Sequence, residues 1–528
     1  MKPEAAQIRK WTAEATSRGL LEKLRTWGGR AEAGQSAGEL DPELLYPRSV
    51  CRAGPDVLVS AKTDGAAALA VIGRNAAGFR GRRPGGDAAE GLTVCPLTAR
   101  NAETLRRLLP FTAPVPLADR PVTLGMGDRL GIASAGHLRV IRRIRESGRE
   151  EIRSSAAPVL AQQSVRELDL TDRNYREVLD AATWAVFQEG YRDGWGADGD
   201  HLKTAAWVKR ALRLGYTMIT ADVSDHIRGE YVEAGEPAVL EAYQKRFSPA
   251  ARKGYEDRYL AIALKIDTGQ EIRFTRSELA RVACVYGEAA DYAARLYAAG
   301  ARVREGFDFE LSIDETATPT LPQAHVFMAE EMKRRGIPVS SMAPRFVGEF
   351  QKGIDYIGDG EEFAASFRVH AAIARAYGYR ISVHSGSDKF SVFPTVGRET
   401  RCHFHLKTAG TSWLEALVVV ARRRPYFFRV VYREALATFP RATRYYHITP
   451  DLSGLPKPED LDPAAMLALF RDPNARQVLH VTYGELLGQG ELRAGIYDVL
   501  QRNIEDYWRS LAEHLGRHAE ELGLVPAT

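Results

Sequence analysis

The stretch Ile381-Ser-Val-His-Ser-Gly-Ser-Asp-Lys-Phe390 begins as an apolar strand and ends in groups that bind metals, accept protons and hold anions. His384 stands where the strand should stop, and Asp388 and Lys389 follow a Ser-Gly-Ser loop. His201, His405 and His480 also fall at expected strand ends or in the loops after them. Together with Asp200, Asp222, Glu310 and Asp314 they supply the nitrogen and oxygen donors that suit a divalent metal. These donors are dispersed along the chain, so they form a site only if a fold gathers them. Asp200 and His201 are neighbours, which would put a base beside a metal-bound substrate oxygen. Asp200 could instead cap the helix expected from Ala205, although Thr204 is better placed for that. Lys203, Lys389 and Lys407 are candidate Schiff-base amines. Arg129, Arg166 and Arg345 have the geometry to clamp a carboxylate.

Such residues need strand ends to carry them. From Thr123 onward the chain repeats a strand, a turn and a helix. Strands are expected near 123–125, 159–164, 216–224, 307–314, 339–346, 381–384, 402–408 and 478–484. Residues 194–204 read as a polar loop opening a helix. Phe307, Phe309, Leu311 and Ile313 alternate with Asp308, Glu310, Ser312 and Asp314. An exposed edge strand shows that pattern, and so does a barrel strand whose polar face points inward. About eight such units predict a (β/α)8 barrel, with polar groups delivered at the C-terminal ends of its strands. An open doubly wound sheet is the alternative. Gly125, Gly127 and Gly131 lack the spacing of a dinucleotide fingerprint.

Before the barrel region, which spans 123–528, residues 1–122 form an appended part. It opens with an amphipathic helix ending at Gly28-Gly29. A hairpin turning at Asp64-Gly65 and a loop at 80–86 follow. Residues 226–305 are helical, charged and too long for one crossover, so they read as an insertion. Ser134 is a plausible N-cap for a helix over 135–145, and a single long helix is expected over 491–522.

The 528 residues are 45% hydrophobic and 27% charged, an ordinary soluble composition. The most basic run, Arg139 to Arg153, is interleaved with Glu146, Glu150 and Glu151. It reads as a solvated helix face and not as a nucleic-acid patch. Cys51, Cys95, Cys284 and Cys402 have no CxxC spacing, which argues against a disulfide framework and a thiolate zinc site. There is no signal-peptide core at the N-terminus and no apolar run of about 18 residues. A cytoplasmic protein without a membrane partner is expected.

The segments GMGDRLGIASAGH, QQSVREL, ADGDHLKTA, SIDETATPT, APRFVGEFQKGIDYIGD, HSGSDKFSVFP, FHLKTAGTSWLEAL and HVTYGE resemble the tagaturonate epimerase family of bacterial hexuronate catabolism. The resemblance runs from about Gly125 to Gly484. It implies a metal-dependent epimerase that interconverts D-tagaturonate and D-fructuronate, two small keto sugar acids. With the retro-aldol chemistry that such an inversion needs, it implies Asp200 as proton acceptor and Glu310 as proton donor. His201, His384 and Gln351 become the metal ligands, although Glu349 is the more usual ligand type. Arg345 and Lys389 are then assigned to the substrate carboxylate, and Asp222 and Asp314 are held in reserve as ligands or orienting partners. Zinc is favoured as the cation, with manganese, nickel and cobalt as alternatives, and a homo-oligomer is compatible with the sequence. Three other readings compete: a metal-free Schiff-base aldolase, a transient-oxidation epimerase with a nicotinamide, and a non-catalytic sugar-acid binding protein.

Overall fold

Eight short strands pair in parallel and close into a ring. They are β5 (Val122–Gly125), β6 (Ala156–Ser164), β7 (Gly196–Leu202), β8 (Met218–Asp222), β11 (Asp308–Ile313), β12 (Val339–Pro344), β13 (Arg380–Val383) and β14 (Phe404–Lys407). Closure is made by β14 against β5, with Leu406 opposite Leu124, which rules out an open sheet. The computed structural model describes residues 4–26, 40–63, 66–73, 76–85 and 89–526. Among these, no helix is long and apolar enough to cross a membrane.

The membership of the ring corrects two expectations. Residues 196–202 are a strand although their sequence, Gly-Ala-Asp-Gly-Asp-His-Leu, is polar. A barrel strand is paired on both sides, so its backbone is satisfied whatever its side chains, and its inward ones meet a polar interior. Residues 478–484 are not a strand. Asp472 accepts from the Ala475 amide at 2.8 Å and caps a helix, Pro473–Val481, whose first residue is proline. A short apolar run cannot by itself distinguish the two states.

Along β11 the alternation holds across two faces. Phe309, Leu311 and Ile313 pack in the main apolar core outside the ring. Glu310 and Ser312 are buried within it, and β11 pairs with both β8 and β12, so it is not an edge. The inner layer is joined by hydrogen bonds. Thr123 Oγ1 lies 2.8 Å from His405 Nδ1, Thr220 Oγ1 3.1 Å from Glu310 Oε1, and Ser341 donates to Glu310 Oε2 at 2.6 Å.

The expected insertion holds helices Glu236–Arg246 and Pro249–Tyr259, the hairpin β9 (Ala263–Lys265) with β10 (Glu271–Arg273), and a 26-residue helix, Arg276–Ala301. The N-terminal helix breaks at Gly19 into Ala5–Ser17 and Leu20–Thr26, and its expected end at Gly28-Gly29 lies outside the described residues. The Asp64-Gly65 turn also lies outside them, but Thr63 and Ala66 on either side pair directly. These belong to an antiparallel sheet of β1 (Cys51–Ala53), β2 (Asp56–Thr63), β3 (Ala66–Ile72) and β4 (Leu92–Pro96). In the loop expected over 80–86, whose last residue lies outside the described set, Arg82 bridges Val94. The sheet, through Leu58 and Leu69, and the helix Ala99–Leu108, through Leu105, pack with Trp184 and Phe187 of the helix Tyr175–Glu189. Ser134 begins its helix instead of capping it, and Asp128 accepts the amides of Leu130, Gly131 and Ala133 just ahead. The C-terminal helix is two, Gly490–Arg502 and Ile504–Glu521, separated at Asn503.

The N-terminal mouth of the barrel is plugged by a loop held from both sides. Arg380 opens β13 and is 1% exposed. Its guanidinium donates to the carbonyls of Leu117 at 2.6 Å and Arg120 at 2.8 Å, while Asp308 accepts from the Leu117 amide at 2.6 Å. Arg380→Met would orphan two carbonyls and leave the Asp308 charge uncompensated. We expect a loss of about 2–4 kcal/mol, read as an earlier urea midpoint.

Candidate active site

At the C-terminal ends of the strands lies a cavity of about 730 Å³, lined among others by Asp200, His201, Asp314, Arg345, His384 and Lys407. Its floor is organised by Lys407, the last residue of β14. The Lys407 ammonium is 2.5 Å from Asp200 Oδ1, 2.7 Å from Glu310 Oε1 and 3.2 Å from Asp198 Oδ2. It also donates to Thr220 Oγ1 at 2.7 Å. Burial opposes its charge, but the three carboxylates outweigh burial and hold it firmly protonated. Burial likewise pushes Asp200 and Glu310 upward. His201 and Lys407 reverse this for Asp200, and Lys407 and His384 do so for Glu310, so both stay well below the usual carboxylate range. Asp198 lies deeper, and burial prevails over Lys407 to raise it to about 6.

Two adjacent residues of β7 reach the same cavity, which a regular strand forbids. The pairing of β7 with β8 slips between Gly199 and Leu202, and His201 takes a left-handed conformation with φ of 52°. That bulge brings His201 Nδ1 to 2.9 Å from Asp200 Oδ1. Asp200 is therefore paired on both sides, and His201 Nε2 has no protein partner among the described residues. Burial lowers the His201 pKa, but Asp200 more than compensates and raises it to about 10.

His384 directly follows β13, and Ser385 turns the chain away with φ of 51°. His384 Nε2 lies 2.9 Å from Glu310 Oε1. Its Nδ1 approaches Asp314 Oδ2 to 3.0 Å yet is buried without an aligned hydrogen bond. Ser312 donates to the other Asp314 oxygen at 2.6 Å. Ligand atoms of His201, Asp314 and His384 all lie within 4.8 Å of one another. Two imidazoles and a carboxylate with an open fourth place match the donor set of a catalytic divalent metal. Asp200 behind His201 and Glu310 behind His384 are the outer carboxylates that orient such ligands. The orphaned His384 nitrogen fits this use.

A family model described as tagaturonate epimerase matches residues 46–522. The chain belongs to the tagaturonate epimerase family. It is accordingly an epimerase, an isomerase of carbohydrates. The tagaturonate/fructuronate epimerase of Thermotoga maritima is 41% identical over 438 residues, covering 82% of this chain and 88% of that one. The native crystal structure of the fructuronate-tagaturonate epimerase of Cohnella laeviribosi superposes with a TM-score of 0.85 at 40% identity, covering 97% of this chain and 99% of that one. Its one-glycerol complex gives 0.85 at 41%, over 91% and 96%.

The structure brings Asp200, His201, Glu310 and His384 together as one cluster. Glu310 sits beneath the cavity, fully buried behind His384 and Lys407. Gln351 is near but otherwise occupied. Its amide oxygen accepts from the Thr449 amide at 3.0 Å and Gln477 Nε2 at 2.8 Å, and its nitrogen donates to Glu349 and Thr449. Grouped with the two histidines in its stead is Asp314, the residue held in reserve. Lys389 does not line the cavity. Its ammonium donates to the carbonyls of Gln351, Ile354 and Ser387 at 2.9, 2.5 and 3.0 Å, and burial lowers its pKa to about 7. Arg345 lines the cavity, with one guanidinium nitrogen on the Thr316 carbonyl at 2.5 Å and a buried Nε free of partners. Asp222 caps the turn at the Ser224 amide. Thr204, not Asp200, caps the helix Ala205–Leu214. His405 lies in the inner layer, where burial lowers its pKa to about 3. His480 lines the cavity from a helix.

Sequence reasoning missed Asp198 altogether and offered Lys407 as one of three candidate Schiff-base amines, not as a counter-ion to three carboxylates. Reading 196–202 as a strand would have put Asp198 and Asp200 on one face, two residues apart.

Beside the site, Asp388 takes φ of 61° and anchors the loop after β13. Its carboxylate pairs with Arg476 at 2.6 Å and with His514 Nε2, and its amide donates to His518 at 3.1 Å. His514 Nδ1 in turn lies 3.1 Å from Glu415.

The His201 shift has a stability consequence. An unfolded imidazole titrates near 6.5 and the folded one near 10. Between these values the folded state binds the extra proton. The stabilisation is complete below about pH 6.5 and is lost as pH rises toward 10. In chelator-treated protein, the urea midpoint should therefore fall over this range, and Asp200→Asn should flatten the fall.

Proposed function

We propose that this enzyme interconverts D-tagaturonate and D-fructuronate with a divalent cation, by breaking and remaking one carbon–carbon bond. The reading is carried by the convergence of His201, Asp314 and His384 beside Asp200 in one cavity. Family membership supports the substrate pair, since the relatives from Thermotoga maritima and Cohnella laeviribosi bear those names.

The two sugar acids differ at a hydroxyl-bearing carbon β to the ketone. Its C–H is not acidic, so simple deprotonation cannot invert it. Removing the hydroxyl proton instead breaks the adjacent carbon–carbon bond. One fragment becomes an aldehyde and the other an enediolate. The aldehyde turns over, the enediolate adds to its opposite face, and the new alkoxide takes a proton. When bound, a divalent cation supplies Lewis-acid stabilisation of negative charge on neighbouring oxygens, and zinc suits this donor set.

The chain's own groups handle the protons. Asp200, kept ionised by Lys407 and His201, accepts the hydroxyl proton at a carboxylate oxygen. Glu310 is ionised and reaches the cavity only through His384 and Lys407, so the new alkoxide takes its proton from the Lys407 ammonium, which touches both carboxylates and recovers a proton from protonated Asp200. Arg345 lies on the cavity wall with a guanidinium nitrogen still available to an anion.

Purified protein should convert D-tagaturonate to D-fructuronate, lose that activity on chelation and regain it with a divalent cation. Metal analysis separates the ligand sets. Asp314→Ala and His384→Ala should lose bound cation, and Gln351→Ala should keep it. A cation retained at full stoichiometry by Asp314→Ala would sink the ligand assignment. Loss of activity with no chelator effect, and with a lysine labelled by borohydride in the presence of substrate, would favour a Schiff-base route.

A further inference from the structure

Six lysines and arginines line the cavity, and three of them are paired with carboxylates. Arg129 pairs with Glu167 at 2.8 Å, Lys203 with Asp225 at 2.7 Å, and Lys407 with its three carboxylates. Arg166 lies over the Tyr446 ring and bonds the Tyr445 carbonyl, and Arg345 bonds the Thr316 carbonyl. Lys352 differs. Its ammonium makes one hydrogen bond, to Ser385 Oγ at 2.8 Å, and has no acid within ion-pair distance among the described residues. Two of its three N–H groups are left over.

The backbone around it is fixed on both sides. Glu349 and Ile357 bridge to close the loop, and Gly353 turns it at φ of 79°. Lys389 grips the carbonyls of Gln351 and Ile354, which flank Lys352. Ser385, its one partner, directly follows His384. An ammonium held in place, partly buried and lacking an anion is an electrostatic cost that a bound anion removes. Burial lowers the Lys352 pKa, in keeping with that deficit.

We propose that Lys352 receives the carboxylate of the substrate beside Ser385 and so sets the preference for a sugar acid over a neutral ketose. This rests on the reading above that the substrate is a hexulosonate. Lys389 then acts through Lys352 as a positioning residue.

The test compares wild type with Lys352→Met and Lys352→Arg, using D-tagaturonate and the neutral ketose D-tagatose. Each is followed by turnover and by calorimetric titration, with circular dichroism to confirm folding. A charge-assisted contact predicts that Lys352→Met raises KM and Kd for tagaturonate roughly 10- to 100-fold. Its kcat should change far less, the constants for tagatose should hold, and Lys352→Arg should recover part of the loss. An unchanged KM for tagaturonate, or equal losses for acid and neutral sugar, would overturn the assignment. So would borohydride trapping of substrate on Lys352, which makes it a nucleophile. If Lys352→Met fails to fold, Lys352→Gln takes its place. If wild type turns over no hexulosonate, the substrate reading fails by itself, and titration still decides Lys352. A preference for the acid that disappears in Lys352→Met upholds it, and equal binding of both sugars by wild type overturns it.

Discussion

A single ammonium group buried in the barrel governs the chemistry above it. Three carboxylates gathered around one point cannot all remain ionised without a cation among them. Lys407 is that cation, and its removal would leave uncompensated charge in a closed interior. Ionised Asp200 and Glu310 in turn engage one nitrogen each of His201 and His384, which determines the nitrogens left for a metal. The order of dependence therefore runs from the floor upward: lysine, carboxylates, imidazoles, cavity. Apolar layers usually fill such barrels. Here the filling is a hydrogen-bonded network of Thr220, Ser341 and Glu310, and it holds the groups below the cavity in one arrangement.

Much of this was legible from residue types. Histidines at strand ends pointed to His201 and His384, and the strict alternation of 307–314 marked an inward polar face carrying Glu310. Resemblance to known epimerases added the proton-transfer roles proposed for Asp200 and Glu310. What escaped notice has physical causes. β7 reads as a loop because its side chains suit a polar interior, and with that reading Asp198 disappeared. The bulge that turns Asp200 and His201 to one side leaves no trace in composition. A lysine is a nucleophile or a counter-ion according to its neighbours, and those of Lys407 lie between about one hundred and two hundred residues away in sequence. Gln351, expected as a ligand, also accepts hydrogen bonds from Thr449 and Gln477, which belong to a segment that reads as remote from the site.

The long loop after β12 shows how one cation can serve another. Lys389 is enclosed by carbonyl oxygens, a neutral environment that suits an amine whose charge burial disfavours. It secures the loop from below. Above it, Lys352 keeps two donors uncommitted. Two neighbouring lysines thus divide into a fastener and a contact, a division that depends on the carbonyls around each.

The tie between Asp388 and the final helix has a consequence for how the protein is made. Asp388 stands four residues past His384, and its grip on that loop depends on His514, near the end of the chain. During synthesis every strand of the ring emerges well before that histidine does. A nascent barrel can close while this loop still lacks its anchor, since domains assemble as the chain leaves the ribosome. The anchoring of this loop is thereby deferred until the helix that carries His514 and His518 has emerged, about a hundred residues after the last strand of the ring.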